Sequence, residues 1–308
     1  MSGTGVPVGA AGTDGTRGTA VPIGAAVPIG AAGTGGAGGA GGTGGAGGAA
    51  VPEMGPRLRE RRAGGTKLLI PYLMGGMTDD WAEALQAVAA AGADAVEVGI
   101  PFSDPMMDGP VIQEASVRAL DRGTTPGQVL DEIAAAAAGI PVAVMTYYNI
   151  VFRAGHRRMA QSLRASGVCA AIVPDLPLEE LGPWAGEADA AGVATVLLVA
   201  PSTPEERVAR ICARSRGFVY AVSRMGVTGE RATLGAGAAQ VVERIRRTTD
   251  LPVCVGVGVS TPPQAREACL VADGVVVGSA LVRRLLEGGG SDAAGEFVAQ
   301  LREALDSG

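Results

Sequence analysis

The sequence predicts an α/β protein whose main domain is a (β/α)8 TIM barrel, preceded by a disordered Gly/Ala-rich extension. Short runs of branched residues alternate with Ala-, Arg- and Glu-rich stretches of helical pattern, as expected of βαβ units with a parallel sheet. The strand-then-helix unit occurs eight times, in a segment of roughly 250 residues that ends at residue 308, the usual size of such a barrel. Counting alone leaves a doubly wound sheet as the alternative.

Eight strands and eight helical regions follow one another along the chain. The predicted strands are residues 67–74, 94–100, 141–147, 169–174, 194–200, 218–222, 252–257 and 274–278. The predicted helical regions after them are 79–91, 112–121 with 126–138, 156–166, 179–191, 204–214, 236–248, 261–271, and 279–286 with 292–306. A closed barrel has its active site in the loops that follow the strands.

The first part of the chain has a different composition. Residues 1–53 are almost entirely Gly, Ala, Thr, Val and Pro, with a direct VPIGAA repeat at 21–26 and 27–32. Such a segment has too little apolar surface to offset an ordering free energy of about 1–2 kcal/mol per residue. We therefore predict a disordered extension over 1–53 and a catalytic barrel domain over 54–308. We find no ordered secretory signal and no uncharged apolar stretch of about 18 residues that could span a membrane.

Net charge and cysteine spacing argue against a nucleic-acid-binding protein and against a cysteine-ligated metal site. The formal net charge of −6 argues against broad nucleic-acid binding through a basic surface. The cysteines have no metal-ligand spacing and fall in predicted strands or helices, which indicates small apolar fillers in a reducing cytoplasm. They are Cys169, Cys212, Cys254 and Cys269.

The single histidine, His156, begins a predicted helix beside two arginines. One histidine allows neither a Ser-His-Asp triad nor a histidine-based metal site, so we expect no bound metal. We interpret His156 as a solvated helix start and the Arg-rich stretches 57–62 and 243–247 as exposed helix faces.

The most informative segment is VEVGIPFSDPMMDGPVIQ at 96–113, where an apolar strand with one carboxylate, Glu97, leads to a second, Asp108. Burying an unpaired carboxylate costs several kcal/mol of folding free energy, so a carboxylate kept at such a position indicates a functional role. Glu97 shares its strand face with Ala95 and Gly99, small residues that leave room for a ligand. The alternatives are a structural ion pair for Glu97 and an ordinary turn residue for Asp108.

Three later loops carry glycine-rich turns. Thr228 and Gly229 follow the sixth strand, Gly258 follows the seventh, and Gly278-Ser279 opens the last helical region. Free N–H groups at a helix start, the helix dipole and the close approach that glycine allows all favour an anion. Two such turns after neighbouring strands of one barrel predict a phosphate site.

Six motifs occur together in a specific order. They are the run from Glu97 to Gln113, YYNIVF at 147–152, VPDLPLEE at 173–180, YAVSRMGVTG at 220–229, VGVGVS at 255–260 and VVVGSALV at 275–282. With these motifs, residues 56–308 resemble the tryptophan synthase alpha chain family. One departure is the loop MGGMTDD after the first strand, where Met77 stands in place of the acid of the family's Thr-x-Gly-Asp-Pro turn.

The resemblance implies a cofactor-free barrel that splits indole-3-glycerol phosphate into indole and glyceraldehyde 3-phosphate. It also implies a beta chain that receives the indole in an alpha2beta2 tetramer. Glu97 would be general acid and then base, and Asp108 would hold the indole N–H. The further residues that match family positions are Tyr147, Tyr220 and Thr228 for the substrate, Gly229, Gly258, Gly278 and Ser279 for the phosphate, and Asp104 for the face that meets the beta chain.

Three other functions remain open from the sequence. A stand-alone lyase that releases free indole is suggested only by the altered loop after the first strand. A non-catalytic barrel kept as an allosteric subunit fits poorly with the presence of both Glu97 and Asp108. A phosphate-sugar isomerase on the same barrel lacks the His or Lys partners that such chemistry tends to use.

Overall fold

The structure is a computed structural model that describes residues 53–222 and 236–307. The predicted extension, apart from Glu53, lies outside the described residues, as do Thr228 and Gly229. The division of the chain into 1–53 and 54–308 therefore stays a prediction.

Strands and helices alternate along the described residues. The strands are β1 (Leu68–Met74), β2 (Val96–Gly99), β3 (Val142–Met145), β4 (Val168–Ile172), β5 (Ala194–Val199), β6 (Val219–Val222), β7 (Val253–Gly256) and β8 (Gly274–Val277). The helices are α1 (Met54–Ala63), α2 (Trp81–Ala90), α3 (Pro110–Asp121), α4 (Pro126–Ala136), α5 (Tyr148–Ala154), α6 (His156–Ala165), α7 (Gly182–Ala191), α8 (Glu205–Arg214), α9 (Ala236–Arg246), α10 (Pro262–Cys269), α11 (Ser279–Leu286) and α12 (Gly290–Asp306). None of these helices is long and apolar enough to cross a membrane.

The eight strands form one closed parallel barrel. Each strand pairs with the next, and β1 pairs with β8 through the register from Leu68 opposite Gly274 to Pro71 opposite Val277. A side chain at Gly274 would bring its Cβ within 2.5 Å of the Leu68 carbonyl oxygen, so glycine allows the closing strands to approach. The closed order confirms the predicted (β/α)8 barrel and excludes the doubly wound sheet.

Alternate side chains of each strand enter two separate apolar layers. Val96 and Val98 belong to the layer between the sheet and the helices, whereas Ala95 belongs to the barrel interior. This confirms the predicted faces of β2, and it directs Glu97 into the barrel.

Helix α1 covers the amino-terminal end of the barrel. Its Met54 and Leu58 are fully buried in the same interior cluster as Leu68 and Ile70. The segment before the first predicted strand, of which only stretch 57–62 was predicted as an exposed helix face, is therefore also part of the barrel core.

The arginines of stretch 57–62 are not simply exposed, which corrects that prediction. Asp94, 1% exposed, accepts hydrogen bonds from Arg61 Nε at 2.6 Å, Arg302 Nη1 at 3.2 Å and the Leu69 backbone N–H at 2.8 Å. A buried aspartate with these donors ties α1 and α12 to β1.

Stretch 243–247 is likewise only partly solvated. Arg246 donates to Asp273 at 3.0 Å, and Arg62 lies 3.5 Å from the other carboxylate oxygen of the same residue. Arg244, with 17% of its side chain exposed, pairs with Glu205 at 2.7 Å. The arginines therefore join neighbouring helices and the start of β8.

The region after β3 contains two helices where one was predicted. The additional helix is α5, and α6 begins at His156 as expected. His156 is not a solvated helix start: its ring stacks on Tyr148 with centroids 5.8 Å apart, and its Nε2 lies 3.1 Å from the Tyr148 hydroxyl. That prediction was wrong because α5 supplies an aromatic neighbour.

Candidate active site

Glu97 lies on β2 inside the barrel, opposite Tyr72 of β1 and Ala143 of β3. Its side chain is 1% exposed, and neither carboxylate oxygen has a hydrogen-bond partner among the described residues. Burial, followed by the nearby charge of Asp108, raises the pKa of Glu97 to about 8. The structural ion pair that the sequence left open for Glu97 is therefore not found in the described part of the chain.

Asp108 lies in the loop between β2 and α3, and Tyr147 from the end of β3 holds it. The Tyr147 hydroxyl donates to Asp108 Oδ2 at 2.9 Å and accepts the Met107 backbone N–H at 3.0 Å. Burial raises the pKa of Asp108 to about 6, and the Tyr147 hydrogen bond acts in the opposite direction. Asp108 is thus held at the pocket by a residue that follows the neighbouring strand.

Both carboxylates line one pocket at the carboxyl end of the barrel, where the active site of this fold is expected. The pocket is lined by Tyr72, Glu97, Asp108, Ile112, Met145, Tyr220, Gly256, Gly258, Val276, Gly278 and Ser279. Six of the predicted site residues are therefore brought together: Glu97, Asp108, Tyr220, Gly258, Gly278 and Ser279.

Two glycines, Gly99 on β2 and Gly256 in the pocket lining, make room for tyrosine rings. A Cβ at Gly99 would lie 2.0 Å from the Tyr72 hydroxyl oxygen, and one at Gly256 would lie 2.6 Å from Cε2 of Tyr220. The space predicted beside Glu97 at Gly99 is therefore occupied by Tyr72, and the ligand space lies between the two rings and the carboxylates.

The turns after β7 and β8 form the other end of the pocket. Gly258 has φ +77°, a conformation that favours glycine, and Gly278 and Ser279 begin α11. The Leu281 N–H already donates to the Gly278 carbonyl at 2.9 Å, which leaves the N–H groups of Ser279 and Ala280 for an anion at this end of the pocket. Among the described residues, this supports the predicted phosphate position.

The remaining predicted site residues lie elsewhere. Tyr147 contacts Asp108 rather than lining the pocket, and Asp104 is exposed on the loop between β2 and α3. Thr228 and Gly229 lie outside the described residues. Met77, which departs from the family's acidic position, is 1% exposed and packs in the apolar layer between sheet and helices.

Five further residues line the pocket that were not among the predicted site residues. They are Tyr72, Ile112, Met145, Gly256 and Val276. Tyr72 could have been found from its alternation within the first strand, but its position beside Glu97 depends on the β1–β2 register. For the described residues, no cluster of three or more His, Cys, Asp or Glu side chains suits a metal ion.

Comparison with known proteins identifies one family. The model described as "Tryptophan synthase alpha chain" matches residues 58–305. The tryptophan synthase alpha chain of Thermobifida fusca is 45% identical over 258 residues, which cover 82% of this chain and 96% of the relative. That of Halorhodospira halophila is 47% identical over 255 residues, covering 81% of this chain and 92% of the relative.

Solved structures agree with the sequence match. A chain of Mycobacterium tuberculosis tryptophan synthase superposes with a TM-score of 0.78 at 39% identity, covering 83% of this chain and 98% of the other. The tryptophan synthase subunit alpha of Legionella pneumophila gives a TM-score of 0.75 at 30% identity, with 82% and 98% coverage. The family model, the related sequences and the solved structures all name the same protein, and the closed barrel with two carboxylates in one pocket agrees with it. The chain belongs to the tryptophan synthase alpha chain family, whose members catalyse the lyase cleavage of indole-3-glycerol phosphate.

Proposed function

We propose that Glu97 and Asp108 carry out the retro-aldol cleavage of indole-3-glycerol phosphate to indole and glyceraldehyde 3-phosphate. The observation that carries this proposal is that two carboxyl groups line one pocket, Glu97 without a hydrogen-bond partner among the described residues and Asp108 held by the Tyr147 hydroxyl. Burial raises the pKa of both groups, to about 8 for Glu97 and to about 6 for Asp108. Near neutral pH, Glu97 then holds its proton while Asp108 is ionised. A proton donor beside a fixed negative charge is the arrangement that this cleavage requires.

The reaction begins with proton transfer from Glu97 to the indole ring carbon that carries the glycerol side chain. Positive charge develops on the ring nitrogen, and the Asp108 carboxylate accepts the ring N–H and stabilises that charge. The Glu97 carboxylate then removes the proton from the glycerol hydroxyl next to the ring as the carbon–carbon bond breaks. The electrons of that bond restore the aromatic indole, the oxygen becomes the aldehyde of glyceraldehyde 3-phosphate, and Glu97 regains its proton.

The substrate is oriented by its two ends. The helix start at Gly278-Ser279 and the turn at Gly258 take the phosphate, together with Gly229 of the loop after β6. Tyr220 and Thr228 contact the rest of the substrate. Because Tyr220 is held against Gly256, its ring is a fixed wall of the pocket.

The chain works with a beta chain in an alpha2beta2 tetramer, and Asp104 lies on the face that meets it. Two exposed apolar side chains are evidence for a partner surface there. Met106, 82% exposed, is two residues from Asp104, and Phe152, 64% exposed, lies on α5, which follows the next strand. Exposed large apolar side chains at one end of a barrel are typical of a partner surface. The relatives named alpha chain point to the same partner.

The enzyme acts in the cytoplasm as a barrel domain of residues 54–308 behind an extension of residues 1–53. The four cysteines support a reducing compartment, because all are free and buried.

Indole release tests this function. The purified chain is assayed with indole-3-glycerol phosphate alone and with added beta chain. We expect slow release alone and faster turnover with the beta chain. No release under either condition would refute the assignment, and full activity alone would favour the stand-alone lyase. In the same assay Asp104→Asn should raise the beta-chain concentration needed for half-maximal stimulation.

A further inference from the structure

Asp175 makes a contact that neither the proposed reaction nor the barrel core accounts for. It lies in the loop after β4, and its two carboxylate oxygens are 2.9 and 3.1 Å from the backbone nitrogen of Tyr148. Tyr148 is the first residue of α5, where a helix leaves its N–H groups without intrahelical acceptors. Asp175 therefore accepts a hydrogen bond from the first N–H of α5, a helix that follows a different strand of the barrel.

The residue before Tyr148 is the one that holds Asp108. Tyr147 is the N-cap residue of α5, with extended backbone at φ −78° and ψ 147°. Its hydroxyl bonds Asp108 Oδ2 and the Met107 N–H, and its ring stacks on Phe102 with centroids 4.9 Å apart. Tyr147 is thus attached to the loop after β2 through its side chain.

Three consecutive loops are therefore joined by a single path. Asp108 after β2 is bound by Tyr147 at the end of β3, and the next backbone N–H is bound by Asp175 after β4. The hydrogen bond from the Tyr148 N–H to Asp175 limits where the Tyr147 ring can lie, because Tyr147 and Tyr148 share a peptide unit. A short helix has few other constraints at its start.

We propose that Asp175 is a positioning residue for the lyase reaction, which keeps the Tyr147 hydroxyl on Asp108 by fixing the start of α5. The inference rests on the proposed function in one respect, the role of Asp108 in the reaction. Asp175 itself touches neither substrate nor reacting atoms. It is exposed at the rim of the barrel, so its removal opens no cavity in the core.

The test compares Asp175→Ala with Asp175→Asn, which keeps one acceptor oxygen. The matched control is Glu179→Gln, in the same loop, where the carboxylate pairs with Arg207 and Arg210 instead of with α5. We expect Asp175→Ala to lower kcat about 10-fold, the scale of one lost hydrogen bond, with little change in KM. Asp175→Asn should recover most of this loss, and Glu179→Gln should match the unmodified chain.

Two further measurements separate positioning from general structural damage. The acid limb of kcat/KM should move to higher pH in Asp175→Ala, because the Tyr147 hydrogen bond lowers the pKa of Asp108 and would be lost. In a Tyr147→Phe background, Asp175→Ala should change kcat by less than about 2-fold, since the two changes remove the same link. An unmoved acid limb, or fully additive effects on kcat, would overturn the inference.

A second variant covers the case in which changes at Asp175 prevent folding. Tyr148→Pro removes the N–H that Asp175 accepts, and proline is tolerated at the first position of a helix after an extended residue. Tyr148→Ala is its control, because it loses the same ring but keeps the N–H. The acid limb should shift in the proline variant and not in the alanine variant, and equal behaviour of the two would refute the inference.

Asp108→Asn distinguishes the two proposals. If Asp108→Asn keeps full activity, the proposed role of Asp108 fails, and the inference about Asp175 fails with it. If Asp108→Asn is inactive while Asp175→Ala behaves like Glu179→Gln, only the positioning role is wrong.

Discussion

Replacing Glu97 by glutamine should lower turnover and raise stability at alkaline pH. The amide has nearly the same volume, so the barrel interior keeps its packing, but it can neither donate the proton to the indole ring nor accept one from the hydroxyl. We expect turnover to fall by about 10²-fold or more, the contribution of a general acid/base, while binding of a phosphate-bearing ligand stays nearly unchanged.

The stability change follows from the pKa of Glu97, which rises from 4.5 in the unfolded chain to about 8 in the folded one. The folded chain holds this proton more tightly than the unfolded chain does. The contribution of Glu97 to the free energy of unfolding is therefore fully present below pH 4.5 and is lost progressively as the pH rises to about 8. At about 1.4 kcal/mol per pKa unit, the complete loss is on the order of 5 kcal/mol. Glutamine does not ionise, so the variant escapes that loss.

Urea unfolding at pH 5 and pH 8.5 measures the effect, with indole release measured in parallel. Between these conditions, the free energy of unfolding of Glu97→Gln relative to the unmodified chain should increase by about 4 kcal/mol. Glu114→Gln is the control, because the Glu114 side chain is 61% exposed and its ion pair among the described residues is with Arg118 on α3. A relative stability that is independent of pH would contradict the buried, protonated state, and near-normal turnover would contradict the catalytic role.

The remaining predictions concern the phosphate position, the pH profile and the amino-terminal end of the domain. Ser279→Ala should weaken phosphate-bearing ligands by roughly 10- to 150-fold, the loss of one hydrogen bond to an anion, and affect free indole much less; equal losses in a binding titration would move the phosphate site elsewhere. The pH dependence of kcat/KM should be bell-shaped, rising near pH 6 as Asp108 ionises and falling near pH 8 as Glu97 loses its proton, and a flat profile over this range would contradict both assignments. Leu58→Ala should lower the free energy of unfolding by about 2–5 kcal/mol in urea titrations, because Leu58 is fully buried at the end of the barrel, and a loss under about 1 kcal/mol would argue against that packing. A shortened chain that begins at Met54 should fold, melt within a few degrees of the full chain and keep its lyase activity, whereas loss of activity would make residues 1–53 a functional element.

Local pattern alone determined the order of the barrel strands and most of the helices. Period-two alternation places Val96 and Val98 on one face of β2 and Glu97 on the other, whatever the rest of the fold. The glycine turns after the last two strands could be predicted because residue type alone shows where the backbone can turn tightly and let a ligand approach. Helix α5 was not visible in this way, because its seven residues are too few to show a helical period.

Only the tertiary structure decided which distant side chains meet. The hydroxyl of Tyr147 reaches Asp108 across 39 residues, and Arg62 reaches Asp273 across 211. The raised pKa of Glu97 has the same origin, since it reflects desolvation inside a closed barrel and the charge of a residue from another loop. Sequence determined the residue types and faces because these follow from local geometry, whereas contact partners, burial and pKa values depend on how the strands close into a barrel.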